Sequence, residues 1–223
     1  MPSNAAAGSR VPEKLTEESL ARGVSALSRI DPDLGRIAHE YGTPPMWERE
    51  PGFPALVLII LEQQVSLTSA GVAFGRLLAA APSLTPESFL AHDDAALRRF
   101  GFSRQKALYS RLSARAVVSG ELDFAALDRL DDETARATLT RLKGVGPWTA
   151  EIYLLRAMLR PDAWPAGDLA LQLAAREVKR LHARPTAAEL EQLGELWRPW
   201  RSVAARLLWQ HYLMRPNLKS RAG

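Results

Sequence analysis

The sequence predicts an all-α protein, and three observations support that prediction. Apolar residues recur at the three- and four-residue spacing of an amphipathic helix along nearly the whole chain. No stretch keeps the strict two-residue alternation of a half-buried strand. Ser, Thr and Asp stand where helix N-caps are needed, and Gly and Pro interrupt the pattern at short intervals. We therefore expect about a dozen short helices joined by short loops.

In the first half of the chain, cap residues and prolines set the predicted helix boundaries. Asp31 followed by Pro32 favours a break, because Asp caps a helix and Pro fits its first turn. Gly42–Pro45 is a linker for similar reasons. The predicted helices are 17–41 broken near Asp31-Pro32, about 53–61 and onward through Gln64 to Ala80, 87–90 capped by Thr85, a short helix ending at Arg99 and capped by Asp93 or Asp94, and a long helix from the Ser103 cap to Ser119.

In the second half, the same signals surround a glycine-rich hairpin at 142–148 and a proline-containing loop at 161–167. The predicted helices are a short one within 122–130, one capped by Asp131 or Asp132 and running to Arg141, one from the hairpin to Arg160, one from Asp168 to Leu181, one from the Thr186 cap to Trp197, and a last one starting at Pro199 and ending before Pro216.

Composition places the chain among ordinary globular proteins and excludes several site chemistries. Its 223 residues, 47% of them hydrophobic, suffice for one domain or for two packed lobes. The longest apolar run, Leu56–Leu61, is far shorter than the roughly 20 residues that a bilayer crossing needs. Residues 1–13 lack the layout of a signal peptide and are expected to form a flexible tail. The chain has no Cys, which excludes disulfides, iron–sulfur clusters and thiolate zinc sites.

The charge balance gives only weak support for an anionic partner. The chain carries 29 basic and 25 acidic residues, a formal net charge of +4. Most of the basic residues are Arg, whose planar guanidinium suits phosphate. The four His residues show no metal-ligand spacing, so no metal role is predicted for them.

Gly144-Val145-Gly146 has the character of a very tight turn between two helices. Two glycines allow the positive backbone dihedrals that such a turn demands, and they let another molecule approach the backbone closely. Pro147 fits the first turn of the following helix. The N–H groups of the turn and of the helix start form an anion site for which a DNA phosphate is a suitable guest. Taken alone, Gly-x-Gly is more often a plain helix-to-helix turn.

Asp168 stands where the next amphipathic helix begins. Its simplest role is that of an N-cap. This role is compatible with a catalytic one, because capping holds the carboxylate in place and the helix dipole favours its negative charge. Asp162, in the same loop, is interpreted as a loop residue.

Together these segments resemble the helix-hairpin-helix superfamily of DNA repair glycosylases. The usual hairpin of that superfamily is Leu-Pro-Gly-Val-Gly, two residues and Thr-Ala, and Lys143 replaces its Pro. The hairpin, the proline-containing loop and Asp168 resemble its Gly/Pro/Asp motif. Further resemblance to the bacterial 3-methyladenine DNA glycosylase II family, over about residues 20–215, lies in Ile60–Ser66, Gly101–Ala107 and Trp197–Ser202 with Ala204 and Trp209.

The resemblance implies two helical lobes with the hairpin and an active-site cleft between them. Residues 14–223 would form the glycosylase domain, with lobe one at about 46–160 and lobe two at about 14–45 plus 161–216. The extra N-terminal β-rich domain of the common enterobacterial form is expected to be absent. It also implies a bacterial cytoplasmic hydrolase, expected to be a monomer, whose partner is double-stranded DNA containing damaged bases.

The resemblance also implies roles for individual residues. Asp168 would stabilise the oxocarbenium-like sugar or activate the attacking water. Gln64 would be the wedge that replaces the flipped base. Position 148 holds Trp where bifunctional relatives have a Schiff-base lysine, so base removal without strand cleavage is expected. The residues implied to contact DNA phosphate are Lys143, Gly144, Val145, Gly146, Trp148 and Thr149.

The implied base pocket contains Trp148 and Trp209, whose electron-rich rings favour cationic bases. Family pocket aromatics are replaced by Ile152 and Leu169 here. Trp47 and Trp197 are assigned to the core, and Trp164 is left open between core and site. The family binds a monovalent cation, Na+ or K+, through hairpin carbonyls, here those of Thr140, Leu142 and Val145. The alternatives are a glycosylase for another lesion and a non-catalytic DNA-binding module.

Overall fold

The computed structural model describes residues 13–215, and this range contains helices and loops but no β-strand. The all-α prediction is confirmed. The helices are α1 (Glu17–Ile30), α2 (Pro32–Tyr41), α3 (Phe53–Glu62), α4 (Leu67–Ala80), α5 (Pro86–Leu90), α6 (Asp94–Phe100), α7 (Arg104–Val118), α8 (Phe124–Leu127), α9 (Asp132–Thr140), α10 (Pro147–Arg156), α11 (Leu169–Val178), α12 (Ala187–Gly194), a 3-10 turn (Glu195–Trp197) and α13 (Arg201–Met214). Within the described range, no helix combines the length and apolar character that a membrane crossing requires. The predicted tail lies outside the described residues apart from Glu13.

The chain forms two compact units. Unit one contains Arg49–Met158 and therefore α3 to α10. Among the described residues, unit two contains Lys14–Glu48 and residues 159–215, and therefore α1, α2 and α11 to α13. The helices of each unit pack on one another around an apolar core, because each has one face that must leave water.

The core of unit one is built from α3, α4 and the helices that follow them. Phe53, Phe89 and Phe102 form an aromatic row with ring centroids 5.7 and 5.8 Å apart. Val57 and Leu97 are fully buried beside them. Each such side chain contributes roughly 1.5–3 kcal/mol on leaving water. This core holds α3 in place, and the candidate site includes Gln63 and Gln64, which directly follow α3.

The core of unit two contains a buried polar cluster as well as apolar side chains. Asp31, 5% exposed, caps α2 by accepting the Asp33 N–H at 3.0 Å. It also accepts the Trp197 indole N–H at 2.8 Å and the Lys179 ammonium at 2.7 Å. One carboxylate therefore joins α2, the end of α11 and the 3-10 turn before α13.

The cap residues predicted from the sequence are confirmed. Side-chain oxygens of these residues accept a backbone N–H in the first turn of the helix that each precedes: Asp31, Thr85, Asp93, Ser103, Asp131, Asp168 and Thr186.

The prediction of a continuous helix through Gln64 is wrong. Helix α3 ends at Glu62, and α4 begins at Leu67 after Ser66 caps it by accepting the Ser69 N–H at 3.2 Å. Between them Gln64 takes a φ of +57°. Apolar periodicity continues across the break, so the pattern could not reveal it.

Four predicted boundaries also move by more than one residue. Helix α12 ends at Gly194 instead of Trp197 and is followed by the 3-10 turn. Helix α10 ends at Arg156 instead of Arg160, and Leu159 beyond it has a φ of +54°. Helix α11 ends at Val178 instead of Leu181. The last helix begins at Arg201, and Pro199 lies before it instead of starting it.

Candidate functional site

The hairpin between α9 and α10 differs from its prediction in one backbone angle. Gly144 has a φ of +94°, which favours glycine, as expected. Gly146 has a φ of −89°, which any residue can adopt, so the expectation that both glycines supply positive dihedrals is wrong for Gly146. Only one of the two glycines is therefore required by backbone conformation.

The surroundings of the two glycines differ just as sharply. A Cβ on Gly144 would lie 2.1 Å from Cγ of Tyr109, whose ring packs under the turn from α7. A Cβ on Gly146 would meet nothing within 4 Å. Gly144 is thus held by packing inside the protein, whereas Gly146 keeps an exposed surface of the turn free of a side chain.

Gln63 braces this hairpin from the end of α3. Its Nε2 donates to the Gly144 carbonyl at 2.9 Å and to Thr149 Oγ1 at 2.9 Å. Lys106 of α7 donates from Nζ to the Leu61 carbonyl at 2.6 Å, and burial lowers the pKa of that ammonium. The segment that carries Gln64 is therefore bound to both the hairpin and α7. Sequence reasoning gave no role to Gln63, Lys106 or Tyr109, although Gln63 lies in the matched segment Ile60–Ser66 and Lys106 in Gly101–Ala107.

The structure divides the residues that the resemblance assigned to phosphate. Lys143 and Gly146 are exposed, and Trp148 is half-buried. Thr149 is 2% exposed with its hydroxyl accepting from Gln63, so its side chain faces the interior. Val145 is 4% exposed, and its N–H donates to the Leu142 carbonyl at 3.0 Å. The Val145 N–H therefore closes the turn, and the assignment of this set of residues to phosphate binding stays a prediction.

The carbonyls expected to hold a monovalent cation can be tested for fit. Thr140 is the last residue of α9, where helix carbonyls lack intrahelical partners. The Leu142 carbonyl already accepts one N–H, which leaves its second lone pair. Backbone oxygens of this kind suit a hard monovalent cation. Elsewhere in residues 13–215, no cluster of His, Asp or Glu side chains could hold a metal ion.

Asp168 lies in unit two at the N-cap of α11. Its Oδ1 accepts the Leu171 N–H at 2.9 Å and the indole N–H of Trp209, from α13, at 3.1 Å. The loop that leads into Asp168 is held by Gln172, whose Nε2 donates to the Ala166 carbonyl at 3.1 Å. The carboxylate is half-buried. Capping and the indole bond together fix the orientation of an anion that solvent still reaches.

The other candidate site residues differ in their exposure to solvent. Ile152 is 3% exposed in α10, and Leu169 is 54% exposed as the first residue of α11. Asp162 accepts from Arg201 at 3.0 Å and pairs with Arg198, in agreement with its interpretation as a loop residue.

The structure shows how deeply Trp47, Trp164 and Trp197 are buried. Trp164 is 2% exposed, donates to the Leu190 carbonyl at 3.1 Å and packs edge-on against Trp197, so it is a core residue. Trp197, fully buried, is core as predicted. The assignment of Trp47 to the core is wrong: it is only half-buried and lies edge-on to Trp209.

Residues 57–199 match the HhH-GPD superfamily of base excision DNA repair proteins. The chain belongs to this superfamily. The matched range contains Gln63, Gln64, the hairpin and Asp168, and it ends before Trp209. The hairpin with its Gln63 brace and the Asp168 carboxylate therefore lie in the HhH-GPD region, and Trp209 directly contacts it through Asp168.

Among HhH-GPD relatives, DNA-3-methyladenine glycosylase 1 of Schizosaccharomyces pombe is 29% identical over 199 residues, 86% of this chain and 87% of that protein. A solved structure of the S. pombe 3-methyladenine DNA glycosylase Mag1 in complex with abasic DNA has a TM-score of 0.81 at 28% identity, over 86% of this chain and 97% of that one. The DNA-3-methyladenine glycosidase of Bacillus halodurans has a TM-score of 0.73 at 29% identity, over 90% of this chain and 91% of that one. By contrast, the chain covers 41% of the length of DNA-3-methyladenine glycosylase 2 of Escherichia coli, with 30% identity over 125 residues, 56% of this chain.

Proposed function

We propose that this chain is a monofunctional DNA glycosylase that hydrolyses the N-glycosidic bond of alkylated bases, 3-methyladenine and related lesions, in base excision repair. The observation that carries the proposal is the Asp168 carboxylate, held by Leu171 and Trp209 and still reached by solvent. The names of the S. pombe and B. halodurans relatives support the class of lesion. Abasic DNA, bound in the S. pombe structure, is what base removal leaves behind.

The chemistry asks for one well-placed anion. As the bond between C1′ and the base breaks, the bonding electrons leave with the base and positive charge develops on the sugar. Asp168 stabilises that charge, and water adds to C1′ with loss of a proton. An N-alkylated purine already carries positive charge and leaves as a neutral base, so a second carboxylate acting as general acid is unnecessary. The two hydrogen bonds to Oδ1 keep the carboxylate oriented without reorganisation during the reaction.

The hairpin and the Gln64 segment supply DNA binding in this proposal. The first N–H groups of α10 and the exposed Lys143 would bind a backbone phosphate. Gln64 is exposed at the break between α3 and α4, with exposed Val65 and Leu67 beside it. This placement supports insertion of Gln64 into the duplex when the base is flipped out.

Residue 148 is Trp, so no amine stands there to form a Schiff base with the sugar. Strand cleavage is therefore not expected. Lys143 precedes the turn and is exposed. Borohydride treatment of the protein with damaged DNA should trap no covalent adduct.

The oligomeric state, the cellular location and a bound monovalent cation are also inferred. We infer a monomer acting on duplex DNA in a bacterial cytoplasm. The carbonyls of Thr140, Leu142 and Val145 would hold Na+ or K+ at the hairpin, where the ion would add positive charge close to the bound phosphate.

The testing experiment compares base release by wild type, Asp168→Asn and Asp162→Asn on methylated duplex DNA, with binding to abasic DNA measured in parallel. Asparagine keeps an oxygen that can cap α11, so Asp168→Asn should fold and bind while losing base release by about 100-fold or more. Asp162→Asn removes a carboxylate six residues earlier that pairs with arginines. It should retain base release per folded molecule.

Two other results would redirect the proposal. Wild type that binds DNA but releases no methylated base would favour the other candidates, and a panel of oxidised and deaminated lesions would separate another substrate from a non-catalytic module. Equal base release by wild type and Asp168→Asn would remove Asp168 from its role.

A further inference from the structure

Trp47 lies against the indole that holds Asp168. The ring centroids of Trp47 and Trp209 are 6.3 Å apart, and the two planes meet at 72°. Trp209 in turn donates its indole N–H to Asp168 Oδ1 at 3.1 Å. All three residues are only half-buried, so solvent reaches each of them. We call Trp47 and Trp209 the aromatic corner.

The backbone at Trp47 is strained. Its φ of +49° lies in the left-handed region, which a bulky aromatic residue rarely adopts. Such a conformation persists only where the surroundings enforce it, and such strain clusters at functional sites. Here the preceding residue is fixed: the Met46 carbonyl accepts from Nε of the buried Arg206 at 3.0 Å, and Met46 is itself 6% exposed.

The strained backbone at Trp47 carries an aromatic ring that is not fully buried. A residue needed only for packing would gain more from the interior, as Trp197 does at 0% exposure with its indole N–H bonded to Asp31. Trp47 instead stays half-exposed with its ring against Trp209. This contrast favours a binding role over a core role.

We propose that Trp47 is a specificity-determining residue that, with Trp209, selects cationic heteroaromatic bases. The inference rests on the proposed glycosylase function. Indole faces attract cations more strongly than other aromatic side chains do. A corner of two such faces beside a carboxylate therefore favours a flat ring that carries positive charge, such as a purine methylated at N3 or N7. A neutral base of the same shape gains stacking but not the cation–π attraction.

The test compares single-turnover release of 7-methylguanine, which is cationic in DNA, with release of hypoxanthine, which is neutral. Wild type, Trp47→Leu and Trp47→Phe are measured on otherwise identical duplexes. Trp47→Leu should lower the ratio of cationic to neutral release about tenfold, because leucine keeps apolar contact but has no π face. Trp47→Phe keeps a smaller face, so its ratio should fall between the two.

The control is Trp197→Phe, which disturbs a core indole. It should lower the melting temperature and leave the ratio unchanged. An unchanged ratio in folded Trp47→Leu, or a parallel loss of both activities, would overturn the inference while leaving the proposed function standing. If Trp47→Leu does not fold, an unchanged ratio in Trp47→Phe would overturn it instead. Wild type that releases neither base would overturn both, which distinguishes the two failures.

Discussion

At the residue scale, the two hairpin glycines serve different purposes, and the difference can be measured. Alanine at 144 would place its Cβ 2.1 Å from the Tyr109 ring at a φ of +94°. Alanine at 146 meets no atom within 4 Å at an ordinary φ.

Gly144→Ala should therefore lower the free energy of unfolding by about 3 kcal/mol, from backbone strain and overpacking together. Gly146→Ala should change it by less than about 0.5 kcal/mol, yet weaken binding to abasic DNA, because its methyl group would cover the surface offered to phosphate. Urea unfolding and fluorescence anisotropy measure the two quantities. Unimpaired DNA binding by Gly146→Ala would show that phosphate does not approach this face of the turn.

Gln63 is the other residue whose importance only the structure revealed. Gln63→Ala removes two hydrogen bonds and leaves the buried Thr149 hydroxyl without its Gln63 donor. The expected loss is about 2 kcal/mol of stability. Gln192→Ala, at an exposed position of α12, is the control and should cost less than about 0.5 kcal/mol.

A double-mutant cycle with Thr149→Val isolates the side-chain pair. The coupling energy should be about 1 kcal/mol. Strict additivity of the two single changes would mean that Gln63 stabilises the hairpin through the Gly144 carbonyl alone.

At the element scale, the cluster around Asp31 holds three segments of unit two together. Lys179 donates to Asp31 at 2.7 Å and to Asp33 at 2.8 Å. Burial opposes the charge on Lys179, but the two hydrogen bonds outweigh it and raise its pKa. The hydrogen bond from Lys179 lowers the pKa of Asp33 despite partial burial.

These shifts set the pH range over which the cluster stabilises the fold. The lowered pKa of Asp33 means that its contribution is present above the ordinary aspartate value of 3.8 and is lost as pH falls through the lowered value. The raised pKa of Lys179 means that its contribution is present below the ordinary lysine value of 10.5 and is lost as pH rises through the raised value.

Lys179→Met should accordingly cost about 2 kcal/mol in urea unfolding at neutral pH, because it removes the cation that Asp31 and Asp33 share and leaves Asp33 with its exposed partner Arg36. The difference from wild type should stay constant between about pH 5 and pH 9 and shrink below about pH 4. A difference that grows as the solution is acidified would contradict the assigned direction of the Asp33 shift.

At the scale of the whole molecule, the sequence predicted the features that depend on residues close together in the chain. Caps such as Asp31 and Asp168 were identified because a side-chain oxygen before an amphipathic run has a local purpose. The bracing by Gln63 and the position of Trp47 were missed, because each depends on partners distant in the chain: Gly144, Thr149 and Trp209. The break at Gln64 was missed because the apolar pattern continues across it. Tertiary contacts can impose a left-handed φ on a residue whose type argues against one, and no periodicity records that.

The net charge of +4 bears on how strongly the whole protein is attracted to DNA. That excess is small, so strong non-specific attraction by the protein as a whole is not expected. DNA affinity should depend on a few placed cations, each of which releases counterions from the phosphates that it neutralises. Lys143, exposed beside the hairpin, is the cation for which this can be tested directly.

Lys143→Gln should weaken binding to abasic and undamaged duplexes alike and reduce the slope of log affinity against log salt by about 1. Arg29→Gln makes the same change in net charge on α1, outside the matched range of 57–199. It should leave both the affinity and the slope nearly unchanged. Anisotropy titrations across a salt series measure both quantities. Equal effects of the two substitutions would mean that the overall charge, and not the placed hairpin cation, governs attraction to DNA.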